Sequence, residues 1–210
     1  MTAQLVESMA NLERSAVLDN VEKEIKKGTD PLKIIESLSQ GLKIVGDLYD
    51  KKEYFLAELI TAGDIFQNAF QKIKPVLEKR GLKTQVQGKI VIGTVRGDLH
   101  DIGKNIVITM LVSSGFYVED LGVDVPAEKF IEAVKRIDAK ILAMSALLTV
   151  ALDAAKETIK LLEKENLRNK VKVICGGAAF DENTAKRIGA DAYGKDPLDA
   201  VKICQKLLQQ

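Results

Sequence analysis

From Lys89 onward, short apolar runs and amphipathic stretches alternate five times, and few architectures accommodate that pattern. The runs are residues 89–95, 116–120, 141–145, 171–175 and 190–193, the first of them continuously apolar and β-rich. Continuous apolar runs of this length fit strands buried on both faces. Helical spacing follows each one, over 101–114 (closed by Gly115), 127–137, 149–165, 182–188 and 198–208. Strand and helix in strict alternation predict a doubly wound α/β domain around a five-stranded parallel sheet, in the Rossmann or flavodoxin manner.

Before that point the chain reads as helix only. Spacing through Leu12, Ala16, Asp19, Val21 and Ile25 stops at Lys26-Lys27-Gly28, a basic last turn closed by glycine. Asp30-Pro31 restarts a helix as N-cap and first helical residue. Its apolar face is Ile34, Ile35, Leu38, Leu42, Val45 and Leu48, with a break over 50–53. A third long helix carries Phe55, Leu59, Ala62, Ile65, Phe66, Ala69, Phe70 and Ile73, with Pro75 near its end. With a short helix over 2–10, these predict a helical bundle over 1–84 and an α/β domain over 88–210. The polar stretch Lys79-Arg80-Gly81-Leu82-Lys83-Thr84 is the linker this division requires.

Composition narrows function. A chain of 210 residues with 46% hydrophobic and 29% charged side chains can bury a core. Its net charge of +1 offers no field to draw in nucleic acid or an anionic membrane. No run approaches the ~20 apolar residues of a membrane span, and residues 1–14 lack the pattern of a secretory signal. Cys175 and Cys204 make no disulfide framework and read as small buried apolar residues, so the expected location is cytoplasmic. His100 is the only histidine, which excludes paired-histidine metal sites.

Ligands of such sheets bind beyond the carboxyl ends of the strands. Three loops there have unusual sequences: 96–105, 144–149 and 176–179. The first lacks both the Gly-x-Gly-x-x-Gly spacing of dinucleotide folds and the Gly-Lys-Ser/Thr of a P-loop. His100 sits there, two residues after Asp98, at a loop-to-helix junction. A lone histidine in that position is commonly a capping or surface residue. It is equally suited to ligate a metal, with the carboxylate fixing its tautomer. A metal held by one imidazole alone has to arrive inside a chelate such as a heme-like or corrin-like macrocycle.

Asp98-Leu99-His100-Asp101-Ile102-Gly103 resembles the Asp-x-His-x-x-Gly motif of cobalamin-binding domains. Ser145-Ala146-Leu147 is similar to their Ser-x-Leu and Gly176-Gly177 to their Gly-Gly, in the same order on the corresponding strands. Residues 41–49 and 54–59 resemble the helical cap that precedes this domain in cobalamin-dependent methionine synthase. The plan is most similar to the free-standing corrinoid proteins of methylamine, methanol and methoxyl-aromatic methyltransferase systems.

The resemblance implies a cobamide, cobalamin or an analogue, bound base-off. His100 would ligate the cobalt in place of the cofactor's lower base, and Asp98 would accept the other imidazole N–H. Gly97, Leu99, Asp101 and Ile102 would lie against the cofactor with them, and Gly103 would let the helix start close to the corrin. Ser145, Leu147, Thr149, Gly176 and Gly177 would line the slot for the inserted base. Phe55, Leu56 and Leu59 would cover the upper face of the corrin and keep water and oxidants from Co(I), although the same residues read equally as bundle core. Asp47 would reach that face from the neighbouring helix. One position departs from methionine synthase: its relay serine, two residues beyond the threonine, is Ala151 here. A third relay member is thus missing or replaced by water.

The implied function is methyl carriage on cobalt, between a donor-specific methyltransferase and an acceptor methyltransferase that uses tetrahydrofolate or a thiol. A reductive activase would be a further partner, and little activity is expected of the chain alone. Two other functions share parts of the pattern. A cobalamin-linked regulator would want a DNA-binding segment ahead of the bundle. The small subunit of an adenosylcobalamin mutase would lack the helical cap.

Overall fold

A computed structural model of the chain describes residues 3–79 and 86–209. The linker expected at 79–84 lies, Lys79 apart, outside the described residues. The chain divides into two compact units, Met1–Gln85 and Val86–Gln210.

The first unit consists of helices α1 (Ala3–Ala10), α2 (Arg14–Lys26), α3 (Pro31–Asp50) and α4 (Leu56–Lys79). Leu5, Met9, Val17, Val21, Ile34, Leu38, Val45, Leu59, Phe66 and Ile73 are among its buried apolar residues. Asp30 caps α3 by accepting from the Leu32 N–H at 3.0 Å, and Pro31 occupies the first helical position, as the sequence predicts. The face of α2 differs from expectation. Leu12 takes a left-handed φ of 61° in the turn after α1, so the helix restarts at Arg14 and turns Val17, Val21 and Glu24 inward. Asp19, read as part of the apolar stripe, is exposed. Helix α4 begins one residue after Phe55 and runs through Pro75 to Lys79, a turn further than the proline implied.

The second unit is a five-stranded parallel sheet of order β2-β1-β3-β4-β5, with β1 Lys89–Thr94, β2 Tyr117–Asp120, β3 Ile141–Ser145, β4 Lys172–Gly176 and β5 Ala192–Gly194. This is the flavodoxin-like order of the doubly wound class. Helices α5 (Ile102–Ser113) and α9 (Pro197–Leu207) pack on each other, as do α6 (Ala127–Ile137) and α7 (Leu152–Lys164), with α8 (Glu182–Ile188) beside α7. Val91, Leu142, Met144, Val173 and Cys175 from the sheet share one core with Phe130, Ile131, Val134, Ile159 and Leu162 from α6 and α7.

The helix expected over 149–165 is two pieces, a 3-10 turn at Thr149–Ala151 and then α7. The edge strand β5 starts two residues later than expected, because Ala190 is taken up in closing α8: its N–H bonds to the Ala185 carbonyl. No helix among the described residues is long and apolar enough to cross a membrane.

Candidate functional site

Strands β1 and β3 lie side by side, yet the chain leaves them in opposite directions, towards β2 and towards β4. The loops after them therefore diverge and leave a crevice at the carboxyl edge, the switch point where such sheets bind ligands. The loop after β1 carries Gly97 to Asp101, and the loop after β3 carries Ala146 to Leu148.

Asp98 joins the two loops. Its carboxylate has no solvent exposure. Oδ1 accepts the His100 N–H at 3.0 Å and meets the ring Nδ1 at 2.7 Å. Oδ2 accepts the N–H groups of Leu147 at 2.6 Å and Leu148 at 2.9 Å. Burial pushes the carboxyl's pKa up, but the donors from His100 and Leu148, the imidazole and the Leu147 N–H outweigh it and bring the pKa down to about 2. A buried charge has to be satisfied in this way. Those two backbone N–H groups stand where the sequence reading left a relay serine missing or replaced by water. Ala151 itself is buried in the 3-10 turn.

Beside a carboxylate, Nδ1 is the protonated nitrogen, which leaves the Nε2 lone pair outward. The imidazole is about half exposed (54%), and among the described residues Nε2 has no hydrogen-bond partner. The His100 carbonyl accepts from Thr94 Oγ1 at 2.9 Å. Of the four polar groups of His100, only Nε2 is uncommitted.

The loops at this edge also carry exposed apolar side chains. Leu99 (71%), Ile102 (75%) and Val150 (80%) are strongly exposed, with Val123, Leu147 and Leu148 exposed to a lesser degree. All six lie in loops or helix starts at the carboxyl edge, and clustered exposed apolar residues mark a binding surface. Val123, Leu148 and Val150 were not singled out from the sequence. Two of them flank Thr149, itself exposed, and the third follows β2, whose loop carries no motif.

At the same edge the strand ends form a row of small side chains: Thr94 is paired in register with Ser145, Ser145 with Gly176 and Gly176 with Gly194. Ser145 and Gly176 are half-buried. Gly177 has φ +99°, and a Cβ there would sit 2.3 Å from the Ala146 carbonyl oxygen. Gly97 turns the β1 loop at φ +86° and donates its N–H to Asp124 Oδ1 at 2.8 Å. Gly103, in the first turn of α5, has open space where a Cβ would be. Asp101 occupies the N-cap position of α5 with its side chain exposed and bonded to Asn105. Lys104, in the first turn of α5, is buried against Asp120.

The cap residues belong to the other unit. Phe55 (66%) and Leu56 are exposed apolar side chains, Asp47 is exposed, and Leu59 has no exposure, in line with Ala62, Ile65 and Phe66 along α4.

Among the described residues no three His, Cys, Asp or Glu side chains converge on a metal ion. One preset imidazole, in loops that carry exposed apolar side chains and beside a row of small residues at the strand ends, fits a metal chelate with an inserted polar tail. Fold and site together define a candidate site at which the single histidine would hold such a macrocycle.

Comparison with known proteins agrees. Residues 88–202 match the B12 binding domain family, and residues 1–74 match a second family also described as a B12 binding domain. The chain is 41% identical over 206 residues to dimethylamine corrinoid protein 1 of Methanosarcina mazei, covering 98% of this chain and 94% of that one. A cobalamin-binding protein of Desulfitobacterium hafniense is 42% identical, with a TM-score of 0.78 over 97% of this chain and 96% of that one. The methanol:cobalamin methyltransferase complex MtaBC of Methanosarcina barkeri contains a chain 30% identical, with a TM-score of 0.86 over 98% of this chain and 78% of that one. The chain belongs to the B12-binding corrinoid proteins, and its cofactor is a cobamide.

Proposed function

We propose that this chain is a cytoplasmic methyl carrier, which takes a methyl group from a donor-specific methyltransferase and yields it to an acceptor methyltransferase. The observation that carries the reading is His100, pinned at every polar group except Nε2, in a chain that aligns end to end with corrinoid proteins. When bound, the cobamide's cobalt supplies the methyl-accepting and methyl-releasing chemistry.

The protein's own residues do the rest. Asp98 fixes the tautomer and rotation of His100, so the ligand arrives without searching for its orientation. The backbone donors of Leu147 and Leu148 keep Asp98 ionised, and neither exchanges a proton with it at ordinary pH. Leu99, Ile102 and Val150 offer a dry bed to the corrin. Ser145, Thr149, Gly176 and Gly177 leave room for the tail. Phe55 and Leu56 are suited to cover the cofactor's other face. Donor and acceptor are held by partner proteins, the acceptor being tetrahydrofolate or a thiol, and a reductive activase restores carrier that has been oxidised.

The test is electron paramagnetic resonance of the Co(II) form, made with nitrogen-15-labelled protein and unlabelled cobamide. A doublet splitting from one axial protein nitrogen is expected, and His100→Ala should abolish it while retaining cobamide. A triplet from the cofactor's own base in the unsubstituted protein would overturn the assignment.

A further inference from the structure

The ring of His100 is set by Asp98, but its backbone is set by residues outside the motif. Thr94, the last residue of β1, is completely buried, and its hydroxyl donates to the His100 carbonyl. The Thr94 N–H bonds to the Gly122 carbonyl at 3.0 Å, and the Gly122 N–H bonds to Asp120 Oδ1 at 2.9 Å. Both oxygens of Asp120 accept from Lys104 Nζ at 2.8 Å. The Lys104 side chain is 1% exposed and lies four residues after His100 on α5. The contacts close a ring: His100, along the chain to Lys104, across to Asp120, through Gly122 to Thr94, and back to His100.

We infer that Thr94 is a positioning residue for His100, the residue that would ligate the cobalt, and that the Lys104–Asp120 pair holds Thr94's neighbour Gly122 in place for it. A β-branched residue at the end of a central strand has a restricted χ1, so its hydroxyl is a fixed point. Lys104 and Asp120 secure the turn after β2, where Gly122 takes φ +83°. The ring ties the start of α5 to that turn, so a shift of His100 along the crevice breaks its hydrogen bond from the buried Thr94 hydroxyl. Donors and acceptors around a ligating histidine commonly govern its affinity for the metal by about tenfold or more.

The inference rests on His100 being the axial ligand. The test uses the full chain loaded with cobalamin and reduced to the Co(II) form. Two quantities are measured for each variant: the ratio of histidine-ligated to unligated cobalt, from the axial nitrogen splitting and the optical spectrum, and the dissociation constant for cobalamin. Thr94→Val preserves shape and deletes the donor. It is expected to lower the ligated-to-unligated ratio about tenfold while the dissociation constant stays within about threefold. Thr94→Ser restores the hydroxyl and should restore the ratio. A purely structural Thr94 would change thermal stability and leave the ratio alone, and that result overturns the inference. Should Thr94→Val fail to fold, Asp120→Asn tests the far side of the ring: a smaller fall in the ratio is expected, and an unchanged ratio overturns it. Unsubstituted protein without a protein nitrogen on cobalt would refute the ligand assignment itself, a result distinct from an unchanged ratio in the variants.

Discussion

Asp98 ties stability to pH. Its folded pKa of about 2 lies below the ordinary carboxylate value, so the folded state is favoured when the group is ionised. The contribution is complete above about pH 4 and is lost as pH falls through 2. A shift of roughly two units corresponds to about 2–3 kcal/mol. Chemical denaturation of unsubstituted protein and of Asp98→Asn, measured from pH 7 down to pH 2, should show this part of the difference between them shrinking over that range. A constant difference would mean that the carboxylate is not held ionised by its four contacts. The Asp-x-His spacing was visible in the sequence and so was the pairing of the two side chains. The second half of the carboxylate's environment was not. Leu147 and Leu148 act through backbone N–H groups, and a backbone group has no signature in the residue letters.

At the scale of elements, two glycines of the site have opposite physical reasons to be glycine. Gly177 is required by the fold: its φ is +99° and a Cβ would strike the Ala146 carbonyl oxygen. Gly177→Ala should therefore destabilise the free protein by about 1–3 kcal/mol in thermal or chemical unfolding. Gly103 is not required by it, since it lies in a helix with open space beside it. Gly103→Ala should stabilise the free protein by about 0.5–1 kcal/mol through helix propensity, yet weaken cobamide binding in titration. Stabilisation without loss of affinity would remove Gly103 from the cofactor's surroundings. Continuous apolar runs marked β1, β3 and β4, the strands buried within the sheet, and strict alternation with helices made the edge strands β2 and β5 legible as well. Element ends were less legible. The 3-10 turn at Thr149–Ala151 and the restart of α2 after Leu12 depend on local backbone geometry that apolar spacing does not encode.

For the whole molecule, the question is what each of the two units contributes. We propose two separable modules joined near residues 80–87, and limited proteolysis should cut there before cutting inside either unit. Residues 86–210 expressed alone should still bind cobamide; complete loss of binding would make the helical unit more than a cover. Within that unit, Phe55 and Leu59 should separate cleanly. Phe55→Ala with Leu56→Ala should leave folding intact and speed oxidation of the reduced cofactor by oxygen, measured optically. Leu59→Ala should cost about 2–5 kcal/mol of bundle stability, as expected of a large-to-small change at a buried site. A double variant with an unchanged oxidation rate would remove Phe55 and Leu56 from any protective role.

The sequence by itself determined the fold class, the order of the elements and the cofactor family, and it nominated His100 as the metal ligand. Each of these is written in side-chain type and spacing: apolar runs for strands, Asp-x-His-x-x-Gly for the ligand loop, small residues for the slot. Tertiary structure alone decided how that ligand is held. Thr94, Lys104 and Asp120 are six, four and twenty residues from His100, and no spacing rule joins them. They meet because the parallel sheet brings the end of β1, the start of α5 and the turn after β2 to one corner. Hydrogen bonds between distant segments depend on where the chain has been folded to, and that is settled only once the sheet has formed.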